Sequence, residues 1–508
     1  MALFTRLGFL NHPFSKTNAD EEPELAKYFV PPPFYDSVVG DPDTPNASVV
    51  LAPRGGGKTA LRRMLEEQAF NNGFLPVTYD RYEFGAGQKV EDVNLQYHLR
   101  NIISRLLVAY LSYLADNPDL IRRLKKEDKK HLSIFIHSYL GDITGDSLQE
   151  LLKELKGLPE RFRDFWRNNV GVLESLVNIL LKRYGLDKID LPEAKQQEKK
   201  LIETYKYQLE YLYSLTKQLG FKAIYILIDK PDETEQTGND PEATYCLIRP
   251  MLRDLELLGL RGYGFKFFLW EKIEPFYCQD ARPDRVYQYN LSWSREDLKI
   301  ILSKRLRAFS NENIRSFNEL CEKKLQFDVD DVICLLANGS PRNVIRICEK
   351  IFSMQAEINS QATSISFPAI DQGILSYCEQ ITKEVYGEKT IKEIQRIGQE
   401  LFTINFLSNE IFKVNYNSIR NRITSWLNMG LVKQIGTISV ASSKKPLNFY
   451  CVVDPAVVRL IHRRLSIDSF IKDLWIPCNF CQADNLMDIT HFKDENVPIC
   501  VKCGRNLF

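Results

Sequence analysis

Eight consecutive residues, Ala52-Pro53-Arg54-Gly55-Gly56-Gly57-Lys58-Thr59, carry the most specific chemistry in the chain. Successive glycines let the backbone wrap until its N–H groups converge on an anion, and a helix that starts there adds its positive end. Lys58 is then placed to reach terminal phosphate oxygens and Thr59 to ligate magnesium. The expected ligand is ATP with Mg2+, held by Arg54, Gly55, Gly56, Gly57, Lys58, Thr59 and Ala60. A second carboxylate must share the metal, and the apolar run IYILID puts Asp229 at its end, where the end of a neighbouring buried strand is expected. Two further carboxylates follow in Asp229-Lys230-Pro231-Asp232-Glu233. Glu233 or Asp232 is the candidate base for an attacking water, so Glu233, Asp232 and Lys58 form the candidate catalytic set.

A second constellation closes the chain. Cys478-x2-Cys481 and Cys500-x2-Cys503, 18 residues apart, match a four-thiolate zinc site. Four thiolates fill the coordination sphere, which makes the site structural. His491, between the pairs, reads as ordinary surface. The other seven cysteines sit singly in apolar stretches, where a thiol behaves as a small hydrophobe.

A third feature is charge. Phe412 to Leu465 holds nine basic residues and one acidic, a net +8 over 54 residues. Within it, NSIRNRITSWLNMG aligns Ile419, Ile423, Trp426 and Leu427 on one helical stripe and turns Arg420 and Arg422 to the other face. LVKQIGTISV and LNFYCVV then read as a hairpin whose tip carries Lys444 and Lys445. Helix, helix and ribbon in that order resemble a winged helix, with Arg420, Arg422, Lys444 and Lys445 as candidate contacts to DNA or RNA.

These residues need a scaffold. Ala47 to Leu51 reads as a strand, the glycines as a loop and the residues from Thr59 as a helix; Phe74–Tyr79, Ala223–Ile228 and Phe265–Trp270 read as further strands. Buried strands separated by helices imply an α/β fold with a parallel sheet. A helical insertion spans about 90–217, including SLQELLKELKG, VLESLVNILLKRYG and a stripe of Leu201, Tyr205, Leu209 and Leu212; its KKEDKKH stretch reads as a solvated face. The expected organisation is a strap (1–45), a P-loop core (46–290), a helical lid (291–375), a winged helix (380–466) and a zinc ribbon (467–508). The lid opens on SREDLKIILSKRL, with a serine N-cap and a glutamate in the first turn.

Composition sets the outer limits. A length of 508 residues predicts several domains, and 44% apolar with 26% charged residues suits a soluble globular chain. No apolar run suits a membrane span and no secretory leader is evident, which points to the cytoplasm. The overall charge of +1 divides into +8 in the winged-helix segment and −7 elsewhere, so near-neutrality does not exclude nucleic acid.

Together the loop APRGGGKT, the acidic element LIDKPDE, the segment LSWSREDLKIILSKRL and the later NGSPRNVIR resemble the P-loop ATPases of the STAND and AAA+ division. The likeness is in particular to the NACHT and KAP-like families and their origin-recognition relatives, over roughly residues 45–360. It implies ATP hydrolysis and a homo-oligomer, and it makes Arg342 a sensor arginine reaching the γ phosphate. Trp270-Glu271 stands where such proteins usually offer a polar residue. Arg282 and Arg285 are either trans-acting arginine fingers or structural charges. The implied function is an ATP-driven switch acting on or with DNA. The alternative is a STAND-type sensor, such as one in anti-phage defence, whose winged helix is internal and whose output is a partner protein.

Overall fold

The structure is a computed structural model that describes residues 3–85, 87–117, 119–120, 124–140, 205–323, 325–438, 446–491 and 498–507. The chain forms two compact units, residues 18–292 and residues 1–17 with 293–508.

The first unit is built on a five-stranded sheet. In chain order it runs β1 (Ser48–Ala52), α1 (Lys58–Asn72), β2 (Phe74–Tyr79), α2 (Leu95–Asp116), α3 (Lys126–Leu140), α4 (Tyr205–Gln218), β3 (Ala223–Asp229), α5 (Pro241–Leu252), β4 (Tyr263–Trp270) and β5 (Tyr287–Asn290). The strand order is β2-β3-β4-β1-β5 and every pairing is parallel. All residues of β1 to β4 are buried, which is why these strands are apolar on both faces. β5 is an edge strand of half-buried and exposed residues, YQYN, and its polar composition hid it from sequence reading.

Topology places the site. From β1 the chain crosses to β2 at one edge, and from β4 it crosses to β5 at the other, so the connections part between adjacent β1 and β4. A crevice at the carboxyl ends of strands that part in this way is where open α/β sheets bind ligands. Ala52 pairs with Trp270 and Asp229 with Phe268, so the phosphate loop, Trp270 and Asp229 share that rim. Asp229 does not lie on the strand next to β1, because β4 runs between them.

Residues 141–204, with most of the expected insertion and Leu201, lie outside the described residues. Of the stripe that remains, Leu209 and Leu212 are buried and Tyr205 is half-buried. The KKEDKKH stretch is not wholly a solvated face: Asp128 turns inward and accepts hydrogen bonds from Tyr211 Oη (2.6 Å) and Gln218 Nε2 (3.1 Å).

The second unit contains α6 (Arg295–Phe309), α7 (Val329–Leu336), α8 (Pro341–Asn359), α9 (Phe367–Tyr386), α10 (Glu388–Ile397), β6 (Leu401–Thr403), α11 (Tyr416–Asn428), β7 (Val432–Ile438), β8 (Leu447–Val452), α12 (Pro455–Ile461), α13 (Ile467–Leu474), β9 (Trp475–Pro477) and β10 (Asp484–Leu486). Ser294 caps α6, and Asp297 rather than a glutamate closes the capping box. The α6–α9 helices and the winged-helix elements share one continuous apolar core. Phe9 and Phe14 join it against Phe352 (ring centroids 6.1 and 5.2 Å), so the strap divides, its first 17 residues belonging to this unit. β6 adds a third strand to the β7–β8 hairpin in the order β6-β8-β7. Among the described residues no helix is long and apolar enough to cross a membrane.

Candidate functional site

The loop between β1 and α1 has the backbone its glycines allow. Gly57 is the N-cap of α1 at a φ of 99°, a left-handed conformation that an L side chain rarely tolerates. At Gly56 a Cβ would lie 2.9 Å from the Pro53 carbonyl oxygen, inside contact distance, and the Gly56 N–H donates to that same oxygen at 3.1 Å. The turn therefore closes tightly and leaves Lys58 to begin the helix. Lys58 is buried, and its Nζ donates to the carbonyls of Ala52 (3.1 Å) and Pro53 (3.2 Å). Thr59 and Ala60, in the first turn of α1, are half-buried.

One turn beyond Lys58 stands Arg62, fully buried. Its Nε donates to Asp229 Oδ2 at 2.9 Å, Nη1 pairs with Glu66 and Nη2 with Asp20 of the strap. Burial alone would lower the Arg62 pKa, but Glu66, Asp229 and Asp20 together lift it well above its ordinary value. Burial raises Asp229 and carries Glu66 to about 7, with Arg62 opposing in each case. Asp20 also pairs with Lys230, and these two cations overcome burial to hold its pKa down. Lys230 sits at a φ of 58°, a conformation that costs a non-glycine residue about 1–2 kcal/mol, and its N–H donates to Asp229 Oδ1 at 3.0 Å. The turn after β3 is thus held by ion pairs that reach the strap and α1.

The two remaining acids separate. Asp232 is buried and bound by the loop: Arg54 donates from Nε to its carboxylate (3.1 Å) and from Nη2 to its carbonyl (3.0 Å). Arg54 also bonds Asn239 and lies 4.5 Å from the centre of the Trp270 ring. Trp270, which takes the place of a polar residue, therefore packs the loop arginine by cation–π contact. Glu233 is exposed and lines an open cleft of about 840 Å3 at the ends of β2 and β3, with Asp80, Tyr82, Lys230 and Gln236. The structure joins Arg54 to Asp232 and Arg62 to Asp229, and places Glu233 on the cleft. Sequence reading missed Arg62, Glu66, Asp20 and Asn239. Lys58, Arg62 and Glu66 recur at spacings of four on one face of α1, a pattern that was there to find; nothing local marks Asp20.

Residues 12–72 match the ORC-CDC6-like family model. The matched stretch contains Asp20, the phosphate loop, Arg62 and Glu66, and it supports the origin-recognition-like P-loop reading. Among solved structures the chain is similar to the Aeropyrum pernix ORC2 protein in its ADPNP-ADP complexes, with 11% identity, a TM-score of 0.37, and 88% of this chain and 97% of that one covered. It is also similar to the Aeropyrum pernix ORC1 protein in complex with DNA, with 11% identity, a TM-score of 0.35, and 89% and 98% covered. No curated protein matches the chain.

Arg282 donates twice to Asp284 at 2.9 Å, and Arg285 lies 3.7 Å from the same carboxylate; both arginines are exposed. Asn338 and Gly339 adopt positive φ after α7, Ser340 caps α8 by accepting from the Asn343 N–H (3.3 Å), and Pro341 begins it. Arg342 is therefore second in a helix of 19 residues, half-buried.

On α11, Ile419, Ile423 and Trp426 are buried, and Leu427, expected on the same stripe, is 37% exposed. Arg420 is exposed beside Asn421 and Thr424, with its guanidinium 6.0 Å from the centre of the Tyr416 ring. Arg422 is half-buried, paired with Glu393 at 3.0 Å and stacked 4.7 Å from Phe412. Of the other basic residues, Arg459 is buried against Asp371 and Lys433 bonds the Val501 carbonyl, whereas Lys413, Arg463 and Arg464 are exposed. Lys444 and Lys445 lie outside the described residues.

The four cysteines converge. Their Sγ atoms all lie within 4.8 Å of one another, with Cys478 to Cys503 at 3.7 Å and Cys481 to Cys500 at 3.6 Å. Tetrahedral thiolates at the usual zinc–sulfur distance stand about 3.8 Å apart, so the donor set fits zinc. The Lys502 N–H donates to Cys500 Sγ (3.4 Å), the outer contact that orients a metal thiolate.

Proposed function

We propose that the chain is an ATP-binding and ATP-hydrolysing switch that acts with DNA. The observation that carries it is the closed Gly56–Gly57 turn, which opens α1 with Lys58 and leads one turn later to Arg62 on Asp229. In this reading, Lys58 exchanges the carbonyls of its own loop for phosphate oxygens. Thr59 and Asp229 hold the magnesium ion, which supplies charge neutralisation on the phosphates. Arg62 keeps Asp229 oriented; each Asp229 oxygen already accepts one protein hydrogen bond and retains a lone pair. Asp232 is engaged by Arg54, and Glu233, an exposed residue that lines the cleft, is the proposed base that takes the proton of the attacking water. Arg342 keeps the sensor role that the family resemblance implies, and the switch works as a homo-oligomer.

The surplus of exposed basic residues on the winged helix supports a DNA partner, through Arg420 with Lys444 and Lys445. The ribbon is held together by zinc. Hydrolysis by Glu233→Gln and Asp232→Asn tests the assignment: Glu233→Gln is expected to keep ATP affinity and lose about 100-fold in rate. A Glu233→Gln enzyme that turns over at the wild-type rate would remove Glu233 as base.

A further inference from the structure

The zinc-binding module has a face that its metal does not need. Phe480 lies between Cys478 and Cys481 and is 61% exposed. Arg505, from the turn after the second cysteine pair, places its guanidinium 5.0 Å from the ring centre. The two turns are stiff: Gln482 N–H donates to Cys478 O (3.0 Å), Gly504 N–H to Cys500 O (3.0 Å), and Cys500 N–H to Arg505 O (2.8 Å). Behind them Cys478, Cys500, Met487 and Leu507 bury against Leu401, Ile435, Phe449 and Cys451 of the three-stranded sheet. Phe480 takes no part in that core.

Charge within the two cysteine turns has one sign, in a module (467–508) that otherwise holds two basic and six acidic residues. Segments 478–483 and 498–507 contain Lys502 and Arg505, both exposed, and no acidic residue. An aromatic ring in water, backed by a guanidinium and flanked by a lysine, suits a ligand that is flat, aromatic and anionic along its backbone. Paired bases in a duplex hide their faces, so the ligand must present unstacked ones.

We propose that Phe480 and Arg505 form a stacking platform for the unpaired bases of single-stranded DNA. It rests on the reading that this chain acts with DNA, and it assigns the ribbon a ligand distinct from the duplex assigned to α11. Fluorescence anisotropy of the full-length protein, with a labelled single strand and a labelled duplex of equal length, tests it. Phe480→Ala is expected to weaken single-strand binding at least about fivefold and to change duplex binding less than twofold. Phe480→Trp should retain affinity and show indole fluorescence quenched by the single strand and not by the duplex. Zinc content equal to wild type in each variant establishes that the module is intact. Unchanged single-strand affinity in Phe480→Ala, or an equal loss on both ligands, would overturn the platform. Wild-type binding to duplex alone overturns it while leaving the α11 reading in place, and binding to neither form removes both.

Discussion

Arg62 and Arg420 carry the same guanidinium in opposite circumstances. Arg62 has no surface, and each of its nitrogens meets a carboxylate of Asp20, Glu66 or Asp229. Arg420 is exposed, with its guanidinium 6.0 Å from the centre of the Tyr416 ring. The difference extends to their neighbours: Asp20, Glu66 and Asp229 close on Arg62, while Lys413, Arg463 and Arg464 face solvent as Arg420 does. A compensated buried charge orients its neighbours before a ligand arrives, and an uncompensated exposed one lowers the free energy of an anionic partner on arrival.

Breaking the inward set should have the largest effect. Arg62→Leu leaves buried carboxylates without a cation and is expected to cost about 3–5 kcal/mol in urea unfolding, whereas Arg420→Ala should leave stability unchanged. The same cluster sets a pH dependence. Glu66, raised by burial from its ordinary 4.5 to about 7, holds a proton in the folded state that the unfolded chain has already released. Stability therefore falls as pH rises between those values, by at most about 1.4 kcal/mol per pH unit from this group. Glu66→Gln should flatten that slope in thermal melts; a wild-type slope that survives the substitution would place the protonation elsewhere.

The outward set is read by salt. Replacing Arg420, Arg463 and Arg464 together with alanine should reduce the slope of log affinity for duplex DNA against log salt by up to about three. Arg422→Ala sharpens the contrast, because its partner is Glu393. It should cost less than about 1 kcal/mol of stability and leave the salt slope as it was.

Much of this was legible in the sequence, for reasons that vary by region. β1 to β4 are buried on both faces, so their apolar runs stand out, and the Gly55–Gly57 loop and the cysteine spacing are fixed by local geometry. β5 and β6 were not legible, because an edge strand and a three-residue strand carry little pattern. At the candidate site, Lys58, Asp229 and the four cysteines were singled out by type and spacing, and the structure brings the four cysteines together. The separate fates of Asp232 and Glu233 depend on Arg54, 178 residues away in the chain from Asp232, and no local signal reports such a contact. The surplus of basic residues in the winged helix was countable, but only the fold shows that Arg459 and Arg422 turn to partners of their own.

In the proposed switch the Gly56–Gly57 turn and Lys58 couple ATP to DNA. Phosphate release from ATP, measured for wild type and Lys58→Ala with and without duplex DNA, tests it most directly. The wild type is expected to release phosphate in a magnesium-dependent way at a rate that duplex DNA changes, and Lys58→Ala to lose at least about 100-fold. Equal release by both proteins, or a wild-type rate indifferent to DNA, would contradict it.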